Sequence, residues 1–140
     1  MTPLRRYNLT GHTYFITVVT YKRHRILLKN PELFPKSWRK SMPTAWVLLL
    51  DHFHAVLEVG ECPISDVLHS VKITYSRRFR DQHGRVWQNR FWDHVIRDQQ
   101  DLNRHIDYIH YNLAGHGIVA SPGDYCLSSF SSYVADGSYE

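Results

Sequence analysis

Two imidazoles one residue apart, His52 and His54, flank Phe53 in the run HFHAVLEV, and a phenol at Tyr108 stands four residues before the carboxamide of Asn112 in RHIDYIHYNLAGHG. On a strand, side chains alternate between faces, so the two His project together, able to share one cation, while Phe53 points the other way. On a helix, residues four apart share a face, so Tyr108 and Asn112 reach the same neighbour. A free phenol, with a pKa of about 10, is a poor nucleophile at neutral pH, and a phosphodiester repels attack through its charge. A divalent cation held by His52, His54 and the Asn112 oxygen would answer both problems: it polarises the phosphorus and holds it in line with the Tyr108 oxygen. Mg²⁺ or Mn²⁺ suits such a loose octahedron, and Zn²⁺ or Cu²⁺ would take the same nitrogens. The product would be a phosphotyrosine link that conserves the bond for rejoining. Tyr111, three residues on, competes for the nucleophile's role, and His105 lies three residues before. Taken singly these features are commoner as plain structure, a polar strand face or a packed Tyr with its hydroxyl bonded. In combination they point to a site, with a structural or hydrolytic zinc site on the His pair as an alternative.

The chain that must position these groups has 140 residues, 17 Lys+Arg against 13 Asp+Glu, ten His and two Cys. That length suits one domain, 1–140, with a core large enough to fold without disulfide or metal staples. No run of about 18 apolar residues and no apolar leader follow the basic N-terminus, which excludes a membrane span and predicts a cytoplasmic protein. Cys62 and Cys126 form no framework, in keeping with a reducing compartment. A net charge of +4 leans toward a polyanionic partner.

Thr13 to Tyr21, rich in β-branched and aromatic residues, predicts a strand. Asn30-Pro31 opens a short helix to about Lys40, weakened by Pro35. Thr44 to Leu50 and the HFHAVLEV run, joined through Asp51, predict a hairpin. Alternation there sets His52, His54, Val56 and Glu58 on a polar face and Phe53, Ala55, Leu57 and Val59 opposite. Ile64 to Gln82 is an amphipathic helix with Ser65 able to cap it. Val86 to Ile96 reads as a strand, and Asp98 caps a helix from Gln99 to about Asn112, with Gly115 and Gly117 ending it. The tail from Asp124 to Tyr133 offers no more than a turn or short helix. The order predicts an α+β fold, an antiparallel sheet with helices on one face, close to the ferredoxin-like pattern.

With these residues in place, the chain resembles the REP-associated tyrosine transposases of bacteria, a branch of the HUH single-tyrosine transposases. The hairpin AWVLLLD with His52-Phe53-His54 is similar to the family's run, which reads close to AYVVMPNHVH. The stretch VWQNRFWDHVIRDQQDLNRHIDYIHYN, then GIV and DYCLSSFSSY, resembles the family nearly throughout, and Arg5, Arg6, Tyr7 and Gly11 have counterparts. The resemblance implies a ferredoxin-like HUH fold acting on single-stranded or hairpin DNA. It further implies a divalent metal, Mg or Mn, on the two His near Asn112, and Tyr108 as nucleophile forming a 5′-phosphotyrosine with a free 3′-OH. It leaves a monomer or homodimer. Three departures stand out. Leu50-Asp51 replaces the usual Pro-Asn, Leu113-Ala114-Gly115 replaces Pro-Val-Lys and so removes a phosphate-contacting Lys, and the segment from Arg25 to Pro43 is shorter than the family's first helix. No proposed ligand or nucleophile is lost, so an active transposase is expected; a silent, domesticated DNA-binding module is the other reading.

A single strand needs cations for its phosphates and aromatic faces for its bases. Arg5 and Arg6 are candidates for base edges, and Lys72, Arg77, Arg78, Arg85, Arg90 and Arg97 for the backbone. Of Trp46, Trp87, Phe91 and Trp92, at least two are expected in the core.

Overall fold

The computed structural model describes residues 12–39, 42–79, 84–115 and 127–137; the expected contacts of Arg5 and Arg6 lie outside them. Strand β1 is Thr13–Thr20, ending one residue before the predicted limit because Tyr21–Arg23 forms a 3₁₀ turn. In that turn Lys22 and Arg23 hold left-handed backbone at φ 51° and 54°. Helix α1 is Leu33–Ser37 alone: the chain leaves helical dihedrals at Trp38, φ −92° and ψ 78°, where the indole enters the core.

The predicted hairpin is β2, Ala45–Leu48, and β3, His52–Glu58. Helix α2, Ile64–Arg78, stops four residues short of the predicted Gln82, because Phe79 turns to extended backbone and buries its ring. The residue preceding that helix is Pro63, so Ser65 sits inside the first turn and is not its cap. Strand β4 is Trp87–Val95, and helix α3 runs Gln99–Gly115, three residues past the expected Asn112. Asp98 caps it as expected, its Oδ1 accepting from the Asp101 N–H at 2.8 Å. A short α4, Phe130–Ala135, is the short helix that the tail allowed and runs two residues past Tyr133.

The four strands form one antiparallel sheet in the order β2-β3-β1-β4, the ferredoxin-like arrangement. Its two faces are packed differently. Tyr14, Ile16, Val18, Phe53, Ala55 and Leu57 face α1 and α2 in the large core, with Leu68, Val71 and Tyr75 from α2. The opposite face meets α3, where Ala45, Val47, Leu49, Val56 and Ile109 make a smaller cluster that Tyr133 of α4 joins. The expectation of helices on one face is therefore corrected. The reason is legible in β3: its supposedly polar face carries Val56 beside the His pair, enough apolar surface to be worth covering. Among the described residues no helix is long and apolar enough to cross a membrane.

Candidate active site

The hairpin and β1 build the floor of the site. Antiparallel pairing sets Thr17 opposite His54 and Val19 opposite His52, so these side chains share the sheet face that α3 covers. The imidazole centroids of His52 and His54 are 4.9 Å apart.

Each ring is held through Nδ1. His52 donates Nδ1–H to Oδ1 of Asp51 at 2.7 Å, since a carboxylate can only accept. Nδ1 of His54 is hydrogen-bonded to the Thr17 hydroxyl at 2.8 Å. Nδ1–H donation by His52 leaves its Nε2 lone pair free, the form in which imidazole binds a metal, and His54 takes the same form when its Nδ1–H donates to the Thr17 hydroxyl. Burial, and then the charge of His52, push the His54 pKa down to about 3, so this ring is neutral at physiological pH. For Asp51, burial acts to raise the pKa, but the hydrogen bonds from His52 and Arg23 outweigh it and hold the carboxyl below its ordinary value. Arg23, in its left-handed turn, reaches Asp51 at 3.2 Å.

Helix α3 brings Tyr108 over this floor. Its ring meets that of His54 edge-on at 5.4 Å and that of Phe15 edge-on at 6.0 Å, and the residue is 48% exposed. Tyr111, the competitor, packs its ring against Phe130 of α4 at 5.8 Å. Asn112 lies on the same helix one turn after Tyr108, but its side chain is outside the described residues.

One to two turns before Tyr108, a second cluster anchors the helix. Buried Asp101 accepts from His94 Nε2 of β4 at 2.9 Å, from the Arg97 N–H at 2.9 Å and from Arg104 at 3.2 Å, and its Oδ1 is 3.2 Å from His105 Nδ1. Burial again acts to raise this carboxyl, and the His94 and Arg97 hydrogen bonds with the nearby His charges hold it low. The ligand-capable atoms of His94, Asp101 and His105 lie within 4.8 Å of one another, a second donor set able to hold a cation. Phe15 joins the two clusters, stacked on His54 at 5.4 Å and tilted against His105 at 4.8 Å.

The candidate DNA contacts divide into two groups. Lys72, Arg77 and Arg78 ride on α2, on the side of the sheet away from the His pair. Lys72 is pinned there, donating to the Gln88 carbonyl at 2.9 Å, and its pKa is lowered by burial and then by Arg85. With Arg85, which bonds Asn89 and lies 4.7 Å over the Tyr21 ring, it lines a groove of about 430 Å³ between α2 and β4. Arg90 and Arg97 are exposed, the first on β4 and the second just after it. Trp87 is buried and Trp46 and Phe91 pack against the core, while Trp92 is 56% exposed.

Sequence reasoning gave no role to Asp51, Thr17, Phe15 or Asp101. Asp51 was detectable as a carboxylate beside the first His, and Thr17 only through the register between β1 and β3.

No protein-family model matches the chain. It is 33% identical over 150 residues to the REP-associated tyrosine transposase of Escherichia coli K12, an alignment covering 99% of this chain and 88% of that protein. A Haemophilus influenzae protein named for the same group is 29% identical over 93% of this chain and 86% of its own length. A solved structure of a REP-associated tyrosine transposase bound to a REP hairpin superposes with a TM-score of 0.84 at 31% identity, covering all of this chain and 89% of that one.

Proposed function

The chain belongs to the REP-associated tyrosine transposases, and from that membership we propose that it cleaves and rejoins single-stranded DNA at hairpin elements, with Tyr108 as the nucleophile. The observation that carries this reading is the seat of Tyr108, edge-on to His54 and half exposed, above two imidazoles whose Nδ1 atoms are already engaged.

The donor set fits a divalent ion. His52 and His54 would hold Mg²⁺ or Mn²⁺ through Nε2, with the Asn112 oxygen as a third donor, and the bound ion would supply charge neutralisation and polarisation of the phosphodiester. The chain's own residues account for the rest. Asp51 fixes the His52 tautomer, Thr17 orients the His54 ring, and Phe15 walls the site beside the His54 and Tyr108 rings. The Tyr108 oxygen attacks the phosphorus and gives up its proton to solvent. A Tyr O–P bond forms as the P–O3′ bond breaks, leaving a 5′-phosphotyrosine and a 3′-OH once the leaving oxygen takes a proton. Return attack by a 3′-OH rejoins the strand. A DNA hairpin as substrate is supported by the relative solved on a REP hairpin.

The test is a denaturing gel of the protein after incubation with hairpin-bearing single-stranded DNA and Mn²⁺. Wild type and Tyr111→Phe should give a covalent band, and Tyr108→Phe none while still binding the hairpin. Undiminished cleavage by Tyr108→Phe would overturn the proposal. Ordinary 5′-phosphate ends with no protein attached would favour hydrolysis at the His pair.

A further inference from the structure

Among the described aromatic side chains of the sheet, Trp92 stands apart. Trp87 is buried and Trp46 packs on the core, whereas Trp92 leaves 56% of its surface to solvent on β4, the edge strand of the sheet. Its place is set by register. Trp92 pairs with Thr17, and Thr17 pairs with His54, so the three lie in one cross-strand row on one face. Two strand spacings put the Trp92 backbone about 10 Å from that of His54.

Among the described residues, helix α3 packs mainly over β2 and β3 and meets β4 through His94, which bonds Asp101 and stacks on His105 at 4.6 Å. Arg90, two residues before Trp92, and Arg97, just beyond β4 beside an exposed Asp98, offer cations along this strand, while Asp93 pairs with Ile16 and belongs to the other face. A strand whose phosphate sits at the His pair must carry its neighbouring bases over some part of this face. Among the described residues, Trp92 offers an accessible π-face there beside that of Tyr108.

We propose that Trp92 is the stacking platform for one unpaired nucleobase of the strand held at the His52–His54 site, one or two nucleotides from the reacting phosphate. This rests on the reading of that site as a single-stranded DNA site. Stacking on an aromatic ring is tolerant of base identity, so the platform sets where the strand lies more than which base it carries.

The experiment uses an oligonucleotide selected on the wild-type protein from DNA hairpins with randomised single-stranded flanks. One abasic position is then walked along those flanks and binding is measured by anisotropy with Mn²⁺. Wild type should lose affinity sharply at one flank position. Trp92→Ala should bind the intact oligonucleotide about 5- to 150-fold more weakly and lose that position's penalty, with Trp92→Phe in between and thermal midpoints unchanged. A Trp92→Ala protein with wild-type affinity, or one weakened but still showing the same abasic profile, overturns the assignment to Trp92 while leaving the DNA site standing. Failure to select any oligonucleotide overturns both.

Discussion

Asp51 and His52 are neighbours in the chain and are joined again through their side chains, Oδ1 accepting from Nδ1–H at 2.7 Å at the tip of the β2–β3 hairpin. The contact orients one candidate ligand from outside the ligand set and fixes its tautomer. Asp51→Asn should therefore weaken Mn²⁺ binding about 10- to 100-fold with the fold intact, read by calorimetric titration. An unchanged affinity would mean that the carboxylate does not tune the ligand.

Thr17 orients His54 from the next strand through a hydroxyl hydrogen bond to Nδ1. Thr17→Val keeps the shape but leaves Nδ1 of a nearly buried ring without this partner. The expected loss is about 1 to 3 kcal/mol in stability, measured by urea unfolding. A variant as stable as wild type would show that the hydroxyl contributes nothing net.

His110 gives the fold a pH dependence. Its ring is buried against Ser129, hydrogen-bonded to Oγ at 2.6 Å, and burial pushes its pKa down to about 4 from 6.5, a shift that Asp107 partly opposes. Below pH 6.5 the unfolded chain takes up a proton that the native ring refuses. Stability from this group is thus fully present above pH 6.5, falls as pH drops toward 4, and levels off below. The slope is at most about 1.4 kcal/mol per pH unit. His54 acts in the same direction, so the His110 share is the difference between wild type and His110→Gln across that window. Parallel profiles for the two proteins would contradict it.

Asp101→Asn should remove about 1.5 to 3 kcal/mol, because a buried carboxylate that accepts from His94, Arg97 and Arg104 loses its charge. It should also slow covalent adduct formation by loosening the base of the helix that carries Tyr108. Arg104→Ala is the control: its side chain is 68% exposed, and its removal should change the unfolding midpoint little.

The sheet was readable from sequence because β-branched runs at Thr13–Thr20 and the His52–Glu58 alternation carry a period of two with turn residues between them. The Asp98 cap was readable for the same local reason. Helix ends were not: α1 and α2 stop where Trp38 and Phe79 are drawn into the core, a tertiary preference that no window of sequence contains. At the site, the spacing of His52, His54 and Tyr108 was visible, since each motif is local. Thr17 and Phe15 act through strand register, and Asp101 through the meeting of β4 with α3, so their parts became apparent only with the chain folded.

The two halves of the site rest on cores of unequal size. Among the described residues, the large cluster that takes Phe53 and Ala55 from β3 has nineteen buried members, and the cluster under α3 has five. Amide hydrogen exchange reads such inequality directly, because local opening frees the smaller unit first. The amides of α3 around Tyr108 should exchange well before those of β3 around His54. That order of opening would let the helix of the proposed nucleophile loosen while the strand of the proposed ligands stays closed.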